Sequence, residues 1–153
     1  MKVGTLAYWY TRQAPATIKP GRNVQIQLCS IECYIWQSIN DPSSERNAAF
    51  CKDLVEWGKI CDDISIWFYN TQFGNYLLPC PNLRTLEPNI RFFVANKARG
   101  VFAQGVHNGL GGEFSDLRNY LTSRLLWDPN QSGEAIINEF LNLHYGKAAP
   151  PIR

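Results

Sequence analysis

The feature that most constrains this chain is the order in which two hydrophobic periodicities alternate along it. Short stretches with an apolar residue at every second position give way to longer ones with apolar residues three and four apart, the periods of strand and helix. Val24 to Cys29 sets Val24, Ile26 and Leu28 against Gln25, Gln27 and Cys29. Ile64 to Tyr69 repeats the pattern, with Ile64, Ile66 and Phe68 opposed to Ser65, Trp67 and Tyr69. Val3 to Tyr10 and Val101 to Val106 read as two further strands. Asp41-Pro-Ser-Ser introduces a first helix, with Ser43 or Ser44 as N-cap and Phe50, Leu54, Trp57 and Cys61 on one face. A second pattern runs from about Thr85 to Ala98, with Pro88 in its first turn and Gly100 as its stop. A third carries Phe114, Leu117, Leu121 and Leu125, and a last runs from roughly Ser132 to Tyr145, closed by Gly146.

The order β, β, α, β, α, β, α, α predicts an α/β fold with parallel pairing and helical crossovers. Four parallel strands with outer helices make either a small open sheet or half of a (β/α)8 TIM-type barrel. The second face of the strands favours the half-barrel, because it carries Gln25, Gln27, Ser65, Trp67, Tyr69 and Gln104. A doubly wound sheet has helices on both faces, so both should be apolar. A barrel is covered outside only, and its inner face turns polar near a pocket. Polar groups satisfying one another in a core would give the same pattern.

With 153 residues, 45% hydrophobic and 18% charged, the chain is expected to form one α/β domain over 1–153 with a sizeable core. A net charge of +2 without any run of Lys or Arg argues against a nucleic-acid partner. No apolar run approaches the roughly 20 residues of a membrane span, so no membrane partner is expected. MKVGTLAYWY enters a strand pattern directly, without a signal-peptide cleavage region. That leaves location open, a periplasmic or secreted parent included. Five cysteines at irregular spacing, with a CxxxC at Cys29 and Cys33, lack zinc or redox spacing and are expected as buried free thiols. Neither a cofactor nor a metal is expected. Gly109, Gly111 and Gly112 fail the dinucleotide fingerprint because Phe114 stands where its last glycine belongs.

Candidate chemistry gathers in the loops that follow the strands, the active face of barrel enzymes. Glu32 follows the second strand, and His107, Asn108, Glu113 and Asp116 follow the fourth. Two carboxylates flanking a ligand are what glycosidic cleavage requires. Glu113 and Asp116 would equally serve to stabilise a helix dipole, and His107 is either an exposed loop residue or a donor to a sugar hydroxyl. The loop from Asn70 to Leu83 is longer than an ordinary connection, a length that marks function. Five Trp and seven Tyr suit a core, and also the flat platforms on which sugars stack.

The segments VFAQGVHNGLGGEFSDLRNYLTSRLLWDPN and INEFLNLHYGKAA, with AYWYTRQAP, NVQIQLCSIEC and ISIWFYNTQF before them in order, resemble the C-terminal barrel portion of a bacterial domain family of unknown function. That family is similar to (β/α)8 glycoside hydrolases, distantly including α-glucuronidases and hexosaminidases, and its members are several times longer. The resemblance covers essentially the whole chain. It implies a carbohydrate ligand, with Glu32 and Glu113 as catalytic carboxylates, Trp9, Trp67 and Tyr69 as stacking surfaces, and Gln104, His107, Asn108 and Asp116 as polar contacts. It also implies that the first half of the barrel is missing. The chain is then either one half of a homodimer that closes eight strands or a piece lacking its N-terminal half-barrel. The other function open to it is that of a non-catalytic carbohydrate-binding or interaction module.

Overall fold

The computed structural model describes residues 1–153. Its elements run β1 (Val3–Ala7), β2 (Val24–Cys29), α1 (Glu45–Ile60), β3 (Ile64–Tyr69), α2 (Leu83–Ala95), β4 (Ala98–Gln104), α3 (Ser115–Trp127), α4 (Gly133–Tyr145) and a short α5 (Ala149–Ile152). The strands form one sheet in the order β1-β2-β3-β4 with every neighbour parallel. This is an α/β fold consistent with half of a (β/α)8 barrel. A loop with one 3-10 turn at Trp9–Thr11, in place of a helix, joins β1 to β2.

Local chemistry sets the boundaries, with four departures from the periodicity. Ser44 caps α1 by accepting a hydrogen bond from the Asn47 amide. The strand expected over Val3 to Tyr10 stops at Ala7, because Trp9 turns the chain at φ +51°. α2 starts at Leu83, so Pro88 falls in its second turn and deprives the Arg84 carbonyl of its helical donor. That helix ends at Ala95, where Lys97 (φ +68°) makes the left-handed turn expected of Gly100. Gly100 lies inside β4 instead. The register steps from Ile64 opposite Ala98 to Ser65 opposite Gly100, leaving Arg99 as a bulge. Gly146 does close α4, at φ +54°.

Helices α1, α2 and α3 pack on one face of the sheet, and α4 with α5 packs outside them, on α2 and α3. Ala7, Ile26, Leu28, Ile64, Ile66 and Phe68 form a single core with Phe50 and Leu54 of α1, Leu86, Ile90 and Phe93 of α2, and Leu121 and Leu125 of α3. Phe93 is the hinge of that layer, edge-on to Phe68 at 5.7 Å and to Phe50 at 6.4 Å. The opposite face presents Leu6 from β1, Gln27 and Cys29 from β2, Ser65, Trp67 and Tyr69 from β3, and Phe102 and Gln104 from β4, aligned by the register. No helix covers it, and Leu6 and Phe102 stay 49% and 48% exposed.

One-sided burial predicts asymmetric mutational costs. Phe93→Ala is expected to lower unfolding free energy by about 3–5 kcal/mol, and Leu6→Ala by less than about 1 kcal/mol, both measured by urea denaturation.

Candidate functional site

Strand alternation sends Trp67 and Tyr69 to the uncovered face, where their rings stack at 6.2 Å with 17° between planes. Phe102 meets Trp67 edge-on at 5.1 Å, and Trp67 Nε1 donates to Gln104 Oε1 at 2.7 Å. The aromatic path continues beyond the C-terminal ends of the strands. Phe73 meets Tyr69 edge-on at 5.8 Å and His107 at 6.1 Å, and Tyr76 Oη lies 2.7 Å from His107 Nδ1. Edge-on and offset pairs hold such rings in fixed orientations. Burial, then the nearby Cys29, Tyr8 and Glu32, keep the Tyr69 phenol protonated far above its ordinary range. Its hydroxyl makes no hydrogen bond within the chain. Tyr69 as a whole is only 9% exposed, and since every fully buried polar side-chain atom has a partner, its unpaired hydroxyl retains contact with solvent.

The two glutamates stand in different loops, each on its own arginine. Glu32, just past β2, accepts from Arg12 Nη1 at 2.8 Å, while Arg12 Nε donates to Asp53 Oδ2 at 2.6 Å. Burial opposes the Arg12 charge, but its bond to Asp53 and the attraction of Asp53 and Glu32 raise its pKa above the ordinary value. Trp57 Nε1 ties the Arg12 carbonyl to α1 at 2.7 Å. Glu113 accepts from Arg118 Nη2 at 2.7 Å, and the Arg118 side chain is only 4% exposed. Arg118 also donates to Asn82 Oδ1 at 2.8 Å, to the Cys80 carbonyl at 3.0 Å and to the Glu113 carbonyl. It thereby fastens the β3–α2 loop to the start of α3. No hydrogen bond joins Glu32 to Glu113, and neither pairs with the other's arginine.

The structure thus joins Trp67, Tyr69, Gln104 and His107 through two residues that sequence reasoning missed, Phe73 and Tyr76. Their signal was the length of the 70–83 loop; nothing periodic marks them. Asn108 borders the wide groove lined by Phe73, Tyr76 and His107. Asp116 is exposed on the first turn of α3, beside a second groove. Trp9, 71% exposed, stands past the end of β1 against Tyr8. The two loops are zipped by the Glu113 amide, which donates to the Tyr76 carbonyl at 2.8 Å. Gly112 permits this approach, since a Cβ there would lie 2.7 Å from Val106 Cγ2 and 3.0 Å from the Tyr76 carbonyl.

No group of three or more His, Cys, Asp or Glu side chains is placed to hold a metal ion. All five thiols are free. Burial raises Cys29 and Cys51 to about 11 and Cys33 to about 12. No helix is long and apolar enough to cross a membrane.

The fold and this site define a parallel α/β domain that carries an aromatic and polar face at the C-terminal edge of its sheet. The chain belongs to the family described as Domain of unknown function (DUF4838), whose model matches residues 1–153. No curated protein and no solved structure matches it.

Two outcomes follow for the site's framework. Arg118→Ala, which strands the Glu113 carboxylate and three further acceptors, is expected to cost about 3–5 kcal/mol. Hydrogen exchange should quicken in residues 70–82 and 105–114. The buried thiols stay protonated in the folded protein while those of the unfolded chain ionise from the ordinary 9.0. Thiol-linked stability is therefore present below about pH 9 and lost as pH rises toward 11, which urea midpoints measured from pH 7 to 11 should reveal.

Proposed function

We propose that this chain is the C-terminal half of a (β/α)8 barrel from a glycoside hydrolase-like parent, and that its uncovered sheet face binds carbohydrate. The observation that carries this reading is the Trp67–Tyr69 stack, held in place by Gln104 and bordered by the free Tyr69 hydroxyl. A pyranose ring presents an apolar C–H face and a polar rim. Flat rings with convergent hydrogen-bonding groups match both.

In the hydrolytic form of this reading, Glu32 and Glu113 act as the two carboxylates. Both accept hydrogen bonds from guanidinium groups, an arrangement suited to a nucleophile or a base. The proton donor that glycosidic cleavage also needs would come from the other half of the barrel, either a second copy of the chain or an N-terminal half. The same arginine contacts favour the second reading, a binding module without chemistry, because they give both carboxylates a structural task.

Calorimetry on an oligosaccharide panel should show binding that Trp67→Ala weakens about tenfold, roughly 1.4 kcal/mol. Turnover abolished by Glu32→Gln or Glu113→Gln supports hydrolysis, and binding without turnover, unchanged by either, supports the module. No binding by any oligosaccharide sinks both.

A further inference from the structure

Beside the aromatic path lies a groove of about 370 Å³, formed where β3 and β4 end against the first turns of α3. Asn70 and Thr71 wall it on one side, Gly109 to Gly111 cover it, and Ser115, Asp116 and Asn119 supply the helix side. The polar groups of this region fall into two sets. Those turned inward are fully engaged: Asn70 donates to Thr122 Oγ1 at 3.2 Å and accepts from Asn82 Nδ2 at 3.1 Å, and Arg118 spends its donors on Asn82, Cys80 and Glu113. Those turned to the groove are free. Thr71, which lines the groove, is only 4% exposed, yet its hydroxyl has no partner in the chain and, since no fully buried polar atom lacks one, is not closed off from solvent. The side chains of Ser115, Asp116 and Asn119 likewise make no hydrogen bond or ion pair. A buried hydroxyl left unpaired costs stability unless something meets it.

The chemistry of this set selects its ligand. One carboxylate with no free cation beside it repels an anion, and a lone carboxylate does not make a metal site. A carboxylate accepting from two adjacent hydroxyls, flanked by hydroxyl and amide groups that both donate and accept, matches a neutral polyol. The volume lies near the lower end for small-ligand sites, enough for one ring rather than a chain. We infer that this groove is a subsite for a single neutral sugar ring, with Asp116 holding a vicinal diol and Thr71 and Asn119 holding further hydroxyls. The Gly109–Gly111 loop also borders the groove of Phe73 and His107, so the subsite would extend the aromatic path. The inference rests on the carbohydrate reading above and adds to it a second place of contact.

Amide spectra of the whole chain, titrated with D-glucose, D-galactose or D-mannose, test it. We expect saturable shifts at Thr71, Gly109, Gly111, Ser115 and Asp116 for at least one sugar, weakened tenfold or more by Asp116→Asn and several-fold by Thr71→Val. Asp116 is exposed, so its variant should fold, which circular dichroism checks. Shifts confined elsewhere, affinity unchanged by Asp116→Asn, or saturation by inorganic phosphate or Ca²⁺ in place of sugar would overturn the subsite. The indole signal of Trp67, followed with an oligosaccharide in the same samples, reports the broader reading separately. Its response without groove shifts leaves carbohydrate binding standing and removes only the subsite.

Discussion

A parallel sheet buried on one face is the constraint on which the rest of this structure depends. Parallel strands are normally sandwiched, and their backbone pairing is found almost wholly inside proteins. Here the helices supply one cover, and the buried apolar strand positions face them, from Ala7 and Ile26 to Phe68, while Leu6 and Phe102 are left on the other face. The other face keeps Gln, Ser, Trp and Tyr where a second layer of helices would have required Val or Ile. The outer strands β1 and β4 each have a single neighbour. In the proposed assembly a second half would pair both edges and bring Leu6 and Phe102 into a closed interior, where the polar and aromatic groups would line a pocket.

Two arginines, Arg118 buried and Arg12 with its side chain 13% exposed, organise what stands at the rim of that face. Arg12 draws together the β1–β2 loop, α1 and Glu32, and Arg118 draws together the β3–α2 loop, the glycine loop and Glu113. Removing a buried charge from its partners is costly, whereas the pair as a whole adds little net stability. The value of these arginines is therefore geometric. They hold irregular loops against the ends of strands, so that Tyr76 and His107 meet and Phe73 continues the ring path begun by Trp67.

Much of the architecture was legible in the sequence because it follows from period. The strict alternation at Val24–Cys29 and Ile64–Tyr69 named both faces of the sheet, and the polar side of that alternation pointed to a barrel-like arrangement. Boundaries were less legible where two residues compete for one role. Gly100 reads as a helix stop, but Asn96 and Lys97 make the turn, and the glycine serves a bulged strand. The site was legible in its strand residues, Trp67, Tyr69 and Gln104, and in His107, which a polar loop after a strand singles out. Arg12 lies in a loop without period, and Arg118 occupies a helix whose leucines already account for its buried face. Phe73 and Tyr76 gain their meaning from partners some 30 positions away, at His107, which no local pattern encodes.

In the proposed function the uncovered face, not a helix surface, receives the ligand. A crystal structure of the chain grown with a bound oligosaccharide tests it most directly. A sugar ring should stack on the Trp67–Tyr69 pair with its rim near Gln104 and the Tyr69 hydroxyl. Sugar seated only against the outer helices, with that pair left bare, would contradict it.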